Sequence, residues 1–312
     1  MYYYHLYGLE VESELEIPEL RSIGARSSDA SIRFGEIEEE LSGAIKPVRW
    51  LQHAGNECLM TVQGVGRFLI RDGREIVIDR RVDRSRDRGQ GAPISDVRLY
   101  VLGSAFGALL HQRGELPMHV SAVDSGSGVW AFTGPSGAGK STMAAWFHRN
   151  MGWPIISDDV SVIRPGDPRP KLYPGPRKLK LWSDAIDHLG CRNNDLRRDL
   201  SNTEKYQLFL DESDCPQASP LKALIVLERT EQAPVLERLT GLEAFRVCRR
   251  SVYRPLFETC FRKRSDFIRE IVDLANRIEV YRFRRNWSLD AMSEHFDVID
   301  AVVGRKRLSE VS

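Results

Sequence analysis

A glycine-rich stretch at residues 134–141 constrains this chain more than any other feature. It reads Gly-Pro-Ser-Gly-Ala-Gly-Lys-Ser and matches the pattern G-x-x-x-x-G-K-[ST]. The apolar segment VWAF precedes it and the segment STMAAWFHRN follows it, which predicts a strand, a loop and a helix in that order. In this arrangement glycines let backbone N–H groups turn toward phosphate oxygens, and the helix N-terminus adds its positive end. The stretch predicts a nucleoside triphosphate site, but not what is done with the nucleotide.

The positions of this loop have expected roles. Lys140 is expected to reach the β and γ phosphates, and the Ser141 hydroxyl is expected to hold Mg²⁺. The cofactors predicted from the loop are therefore a nucleoside triphosphate and Mg²⁺. The predicted nucleotide-binding residues are Gly134, Pro135, Ser136, Gly137, Ala138, Gly139, Lys140, Ser141 and Thr142.

Two adjacent aspartates, Asp158 and Asp159, follow the apolar segment PIIS soon after the loop. The spacing from Lys140 is too short for the Asp-Glu strand of most motor ATPases, and no guanine-reading N-K-x-D follows. A bend after the strand can bring both carboxylates to the phosphates, where one holds the metal and the other accepts a proton from a hydroxyl. The alternative is that they only end the strand and begin a turn.

His119 is a further candidate, in the segment LPMHVSAVD, which is predicted to form a strand beside VWAF. A single histidine on a strand is more often a satisfied core group than a site residue. The pattern alone leaves both interpretations open.

Composition limits the possible partners and the compartment. The chain has 45 Lys and Arg against 44 Asp and Glu, so its bulk charge favours neither nucleic acid nor an anionic membrane as partner. No apolar run is long enough to span a bilayer, and the N-terminus lacks the pattern of a signal peptide. The five cysteines, Cys58, Cys191, Cys215, Cys248 and Cys260, include no C-x-x-C pair, which favours reduced thiols. We expect a cytoplasmic protein, with a homo-oligomer left possible.

The first part of the chain, residues 1–92, is expected to be a β-rich domain. Alternating apolar residues flank Asp72-Gly73 and predict a β-hairpin there. Residues 80–93 are charged and nearly free of apolar residues, which predicts a solvated loop. The next segment predicts a packing helix with a cap at Ser95 or Asp96 and an end at Gly114.

From residue 116 strands and helices alternate, which predicts an α/β catalytic domain over residues 93–312. LKALIVLER and VYRFRR are predicted strands. ETCFRKRSDFIREIVDLANRI is predicted to be one long amphipathic helix, and Ser288 is predicted to cap a last helix.

His119, the loop GPSGAGKS and the Asp158-Asp159 pair together resemble the catalytic domain of HPr kinase/phosphorylase, whose P-loop fold is related to phosphoenolpyruvate carboxykinase. The resemblance implies that Asp159 accepts the proton, Lys140 grips the phosphates, Ser141 binds the metal and His119 belongs to the active site. Asp158 is then expected to order Mg²⁺ and its waters. The sequence departs from that family at Thr142, where the family has glutamate. It also lacks the family's E-[IV]-R-G-[LV]-G segment, on which the reverse phosphorylase reaction depends.

Three longer stretches, YHLYGLEVESELEIPEL, LPMHVSAV and YPGPRKLKLWSDAI, are more similar to the HPr-kinase-like proteins encoded beside lasso-peptide biosynthesis genes. Members of that group phosphorylate the side-chain hydroxyl of a C-terminal serine on the precursor peptide. The resemblance implies an ATP-dependent peptide serine kinase with a lasso-peptide precursor as partner.

Arginines of the segment FRVCRRSVYRPLF are the candidates for holding a transferring phosphoryl group or a peptide carboxylate. They are Arg249, Arg250 and Arg254, with Arg254 preferred, and Lys178, Lys180 and Lys205 are weaker candidates. A solvated helix face is the plain alternative for the arginines. Two other functions stay open for the chain: a kinase of an HPr-like protein or a small alcohol, and a nucleotide-binding regulator without turnover.

Overall fold

The computed structural model describes residues 1–81, 92–176, 178–189, 197–199, 202–209 and 217–304. The chain forms two compact units. The first consists of Met1–Pro117 and Tyr253–Phe267, and the second of Met118–Val252 and Ile268–Ser312. The predicted loop at 80–93 and the cysteines Cys191 and Cys215 lie largely or wholly outside the described residues.

In the described residues of the first unit, nine strands form one sheet. They are β1 (Tyr2–Leu6), β2 (Leu9–Ser13), β3 (Arg21–Ser22), β4 (Ala30–Phe34), β5 (Ile45–Val48), β6 (Leu51–Ala54), β7 (Glu57–Val62), β8 (Gly66–Arg71) and β9 (Glu75–Asp79). Their order in the sheet is β3-β1-β2-β4-β9-β8-β7-β6-β5. The expectation of a β-rich N-terminal part is confirmed.

The predicted hairpin at Asp72-Gly73 is confirmed. β8 and β9 pair antiparallel with Arg71 opposite Glu75. Asp72 and Gly73 have φ angles of 50° and 63°, and the N–H of Arg74 donates to the carbonyl of Arg71 at 2.8 Å. Both central residues are thus left-handed, as a tight turn between twisted strands requires.

A helical segment follows at α1 (Ile94–Tyr100), continues through a π-helical turn at Val101–Ala105 and ends as α2 (Phe106–Gln112). Gly114 ends it as predicted, with a φ of 74°. The predicted side-chain cap is wrong, because the helix begins after Pro93 and no side chain among the described residues caps it. Phe106 contacts Tyr7, and Gln112 accepts a hydrogen bond from the N–H of Gly73 at 2.9 Å. Because the helix packs on the first sheet, the first unit extends past the expected boundary at residue 92.

The remaining elements follow in chain order. They are β10 (Leu116–Met118), β11 (Ser121–Asp124), β12 (Val129–Thr133), α3 (Lys140–Met151), β13 (Ile155–Ser157), β14 (Ser161–Ile163), β15 (Lys171–Tyr173), β16 (Lys178–Trp182), α4 (Ser183–His188), β17 (Arg197–Asp199), β18 (Asn202–Phe209), β19 (Ser219–Arg229), β20 (Val235–Leu239), α5 (Gly241–Arg250), α6 (Pro255–Phe261), α7 (Arg264–Arg277), β21 (Glu279–Arg285) and α8 (Met292–Ile299). A π-helical turn at Asp300–Gly304 continues α8.

The second unit is built on a mixed sheet with three parallel strands at its centre. β12 and β21 both run parallel to β19, which lies between them. β11 and β13 continue the sheet beyond β12, and β14, β15 and β20 pair antiparallel at other edges. The carboxyl ends of β12, β19 and β21 therefore meet at one edge, where ligands of such sheets bind. The predicted α/β class is confirmed.

Aromatic residues fill the core between α3 and this sheet. Phe147 stacks on Phe132 and on Trp153, with ring centroids 5.6 and 5.0 Å apart. Trp130 meets the edges of Phe147 and Trp153. This packing fixes α3 against β12, so the loop that joins them is held at both ends.

Two other helix predictions are wrong in detail. The predicted long helix is divided into α6 and α7, because Arg262 is extended, with φ −124° and ψ 144°. The charged run at residues 262–264 has no apolar side chain to hold a helix there, although apolar spacing resumes beyond it. The last helix begins after Ala291 rather than Ser288, and no side chain caps it.

Candidate functional site

The glycine-rich loop joins β12 to α3 in the second unit. Gly134, Gly137 and Gly139 have φ angles of 139°, 82° and 85°, which only glycine adopts without strain. A Cβ on Gly134 would lie 3.0 Å from the carbonyl oxygen of Leu227. In the part of the chain that the structure describes, no side chain caps the start of α3. The loop and the helix N-terminus thus have the conformation that suits an anion.

Lys140 is the first residue of α3, and its side chain folds back across the loop. Its Nζ donates to the carbonyl oxygens of Gly134 at 3.1 Å and Pro135 at 3.2 Å. The residue is buried. A buried ammonium held at the loop is placed to bind phosphate oxygens in exchange for these carbonyls.

Asp158 is buried just after β13 and accepts three hydrogen bonds. Its Oδ1 accepts from the hydroxyls of Ser121 and Ser141, the latter at 2.8 Å, and its Oδ2 accepts from the backbone N–H of Lys180 at 2.8 Å. Burial raises the pKa of Asp158, although the hydrogen bonds from Ser121 and Lys180 oppose that rise. The carboxylate is fixed beside the predicted metal-binding hydroxyl of Ser141.

Asp159 has the opposite environment. Its φ is 78°, a left-handed conformation that is uncommon outside glycine. Its Oδ1 lies 3.3 Å from Nε2 of His119, and its Oδ2 accepts from Nζ of Lys180 at 3.2 Å. Burial acts to raise the pKa of Asp159, but the charge of Lys180, together with that of His119 when its ring is protonated, outweighs burial and lowers the pKa. Asp159 is therefore an ionised carboxylate with 36% of its side chain exposed.

His119 lies between β10 and β11 rather than within a strand, so the prediction of one continuous strand over LPMHVSAVD is wrong. Its backbone N–H donates to the carbonyl of Ser251 at 2.6 Å, and its carbonyl accepts from the Thr133 hydroxyl at 3.4 Å. These bonds to neighbouring segments replace strand pairing. Burial lowers the pKa of His119 despite the nearby charge of Asp159, so the ring is neutral at pH 7.

One cavity of about 70 Å³ brings these groups together. It is lined by Ser136 and Gly137 of the loop, by residues 139–142, by His119 and by both aspartates. Three further lining residues are Ser121, Lys180 and Trp182. Lys180 was a weak sequence candidate, and the other two were missed. Ser121 lies two residues after His119, and Trp182 lies two residues after Lys180. Residues two apart in extended backbone point to the same side, so this spacing could have indicated both residues from the sequence.

A second cavity, of about 470 Å³, adjoins the start of the loop at Thr133, Gly134 and Pro135. Helix α5 contributes Arg246 and Arg250 to it, and Arg282 lines it from β21. Arg282 is paired with Glu228, Glu237 and Glu243. The cavity lies at the carboxyl ends of β12 and β19 and carries two exposed guanidinium groups on its helix.

The other basic candidates are distributed differently. Arg254 belongs to the first unit, where it precedes α6 with a φ of 49° and lies over the ring of Tyr253. Arg249 is half-buried on α5 and lines neither cavity of the second unit described above. Lys178 is buried on β16. Its charge also lowers the pKa of Asp159, by less than Lys180 and His119 do. The side chain of Lys205 lies outside the described residues.

The oxygen atoms around Asp158 fit a magnesium ion. Ser141 and Asp158 place a hydroxyl and a carboxylate 2.8 Å apart at the start of α3. Among the described residues no group of three or more His, Cys, Asp or Glu side chains could hold a metal. Mg²⁺ at nucleotide sites uses one or two protein oxygens together with phosphates and waters, so two donors suffice. Within the same part of the chain, no helix is long and apolar enough to cross a membrane.

Comparisons with known proteins find similarity among solved structures. No protein-family model matches the chain, and no curated protein matches its sequence. Among solved structures, the HPr(Ser) kinase/phosphatase from Coxiella burnetii is similar over 62% of this chain and 93% of its own, with 10% identity and a TM-score of 0.34. The function proposed below is therefore argued from the geometry of the site.

Proposed function

We propose that this chain is a Mg-ATP-dependent kinase that transfers the γ-phosphoryl group to a serine hydroxyl. The observation that carries the proposal is that two adjacent aspartates beside the glycine-rich loop have different environments. Asp158 is buried against the Ser141 hydroxyl, whereas Asp159 is partly exposed, ionised and held by His119 and Lys180. A nucleotide-binding protein without turnover has no need of the second carboxylate.

The residues of the site suggest how each step is performed. The loop amides, the start of α3 and Lys140 bind and orient the triphosphate. Asp159 accepts the proton of the incoming serine hydroxyl while the serine oxygen forms a bond to the γ-phosphorus of ATP. The bond between the γ-phosphorus and the oxygen that bridges it to the β-phosphorus breaks, and ADP leaves. Lys180 keeps Asp159 in place, and neutral His119 can accept or donate a hydrogen bond beside it.

Ser141 and Asp158 would hold Mg²⁺. When bound, the ion neutralises negative charge on the phosphates and orders them for in-line transfer. The hydrogen bonds from Ser121 and from the N–H of Lys180 keep Asp158 oriented toward Ser141. Thr142, which lines the same cavity, stands where a metal-binding glutamate would add charge, so we propose a site with a single carboxylate ligand.

The finer proposal concerns the acceptor. The second cavity adjoins Gly134 and Pro135, and Arg246 and Arg250 can offer guanidinium groups to an anionic substrate group. A peptide with a C-terminal serine presents a hydroxyl and a carboxylate close together. With the sequence resemblance described above, we propose a lasso-peptide precursor as the acceptor, a P-loop core of the HPr kinase type in the second unit, and a cytoplasmic location.

A transfer assay with γ-labelled ATP tests this function. The acceptors compared would be a peptide that ends in serine, the same peptide with one residue added after that serine, an HPr-like protein, and small hydroxy acids. We expect labelling of the first peptide and a large loss on extension. Labelling of the small molecules alone would favour an alcohol kinase. ATP binding with no labelling of any acceptor would favour a nucleotide-binding regulator.

A further inference from the structure

Arg285 is a buried guanidinium directly beneath the glycine-rich loop. It is the last residue of β21 and shares a face of that strand with Tyr281 and Phe283, both core residues. Only 3% of Arg285 is exposed. Arginine is rarely buried to this extent unless a carboxylate pairs with it.

Arg285 is held by backbone carbonyls instead. Its Nη2 donates to the carbonyl of Ala138 at 3.2 Å, and its Nη1 donates to the carbonyl of Asn286 at 3.1 Å. Across the part of the chain that the structure describes, its Nε has no hydrogen-bond partner and no carboxylate forms an ion pair with it. The adjacent Arg284 is different, because it is more exposed and pairs with Glu228 and Glu237.

The charge of Arg285 is costly in the nucleotide-free protein. Burial lowers its pKa to about 10, so the side chain is still protonated at pH 7. The nearby His295 does not compensate the charge. Its pKa is lowered to about 4 by burial and by Arg285, so it is neutral. An isolated buried cation of this kind destabilises a fold unless an anion comes close to it.

The loop is built around this side chain. A Cβ on Gly139 would lie 2.5 Å from Nη2 of Arg285, so only glycine permits the approach. Because the peptide unit is planar and trans, a carbonyl of Ala138 directed at Arg285 turns the N–H of Gly139 the opposite way. Gly139 lines the cavity that contains Lys140 and both aspartates. Arg285 therefore sets the direction of an amide that can bind phosphate.

We propose that Arg285 is a positioning residue for a nucleoside polyphosphate: it fixes the Ala138–Gly139 peptide from below, and the bound phosphates, rather than a protein carboxylate, compensate its charge. This inference rests on the proposed function. It predicts that Arg285 lowers the stability of the nucleotide-free protein and raises the stability of the nucleotide complex. A residue with a merely structural role would stabilise both.

The test compares Arg285→Met with Arg284→Met as the matched control. Urea unfolding without nucleotide, and titration of ATP, ADP and AMP, would be measured for both. We expect Arg285→Met to be at least as stable as the wild type without nucleotide. Its affinity for ATP should fall by about tenfold or more, with a smaller fall for AMP, since fewer phosphate charges are involved. Arg284→Met should bind all three as the wild type does.

Two outcomes would overturn the inference: an ATP affinity equal to that of the wild type, whatever the stability, or an equal loss of affinity for ATP and AMP. If Arg285→Met does not fold, Arg285→Lys is used for the same measurements, because lysine keeps the positive charge but lacks the planar guanidinium group. A fall in ATP affinity that exceeds the fall for AMP supports the inference, and wild-type ATP affinity overturns it. Wild-type protein that does not bind ATP would instead refute the proposed function, and this inference with it.

Discussion

Nε2 of His119 lies 3.3 Å from Oδ1 of Asp159, and this contact couples the charge of the histidine to the carboxylate proposed to accept the proton. Burial lowers the pKa of His119 below 6.5. Asp159 also has a lowered pKa, because the charge of Lys180, together with that of His119 when its ring is protonated, outweighs the effect of burial. At neutral pH the pair is thus a neutral imidazole and an ionised carboxylate.

The first prediction is the pH dependence of phosphoryl transfer. The rate should be constant near pH 7 and fall as the pH drops through the pKa of His119, which lies below 6.5. Protonated His119 would add a second cation beside Asp159 and weaken it as a proton acceptor. In His119→Gln the pH at which the transfer rate falls should shift down, toward the pKa of Asp159. Single-turnover rates between about pH 4.5 and pH 8 measure this, and an unchanged acid limb in the variant would contradict it.

Lys140→Ala is predicted to remove the stabilisation of the protein by Mg-ATP. Its ammonium, now bound to the carbonyls of Gly134 and Pro135, would no longer offset the phosphate charge. A ligand at one hundred times its Kd stabilises a protein by about 2.7 kcal/mol, which a thermal shift resolves easily. Lys171→Ala, an exposed lysine of β15, is the control and should shift as the wild type does. A full shift in Lys140→Ala would count against the site.

Gly139→Ala is predicted to destabilise the fold more than Gly152→Ala does. Both glycines are left-handed, with φ angles of 85° and 66°, so each substitution should cost about 1 to 2 kcal/mol in backbone strain. Only at Gly139 would the new Cβ also meet a buried guanidinium, since no atom of the described residues lies within 4 Å of a Cβ at Gly152. Overpacking adds about 1 to 3 kcal/mol. Equal unfolding free energies for the two variants in urea would show that Arg285 moves aside without cost.

Much of this fold follows from local sequence. The turn at Asp72-Gly73, the end of the helix at Gly114 and the loop between β12 and α3 depend on residue types whose backbone preferences are strong. The break at Arg262 does not follow, because the apolar periodicity resumes beyond it and only the backbone shows the interruption. The helix starts at Pro93 and Ala291 lack the side-chain caps that sequence reasoning looks for.

The candidate site could also be predicted only in part from the sequence. The loop and the aspartate pair are contiguous motifs, so their proximity could be predicted. Ser121, Lys180 and Arg285 reach the site through the pairing and order of strands distant in sequence, which no local pattern reveals. Asp158 and Asp159 are adjacent in sequence but have different partners, and the φ of 78° at Asp159 is a backbone angle that a sequence does not report.

Asp158→Asn is predicted to raise the Mg²⁺ concentration required for transfer. The amide keeps the size of the side chain but removes a charged oxygen ligand next to Ser141. Transfer should recover, at least in part, at high Mg²⁺, and excess chelator should abolish it in the wild type. Titration of Mg²⁺ at fixed ATP measures the change. Identical Mg²⁺ curves for variant and wild type would remove Asp158 from the metal site.

The central claim is that Asp159 accepts the proton of the acceptor hydroxyl, and Asp159→Asn tests it most directly. An amide is isosteric but cannot take the proton, and general-base catalysis contributes about 10² to 10⁴ in rate, or roughly 3 to 5 kcal/mol of barrier. The measurement is single-turnover transfer from labelled ATP to a serine peptide, with ATP affinity titrated separately. The account predicts near-wild-type ATP affinity and a rate reduced by about 10² or more. Transfer at the wild-type rate would contradict the account, and loss in Asp158→Asn alone would exchange the roles of the two aspartates.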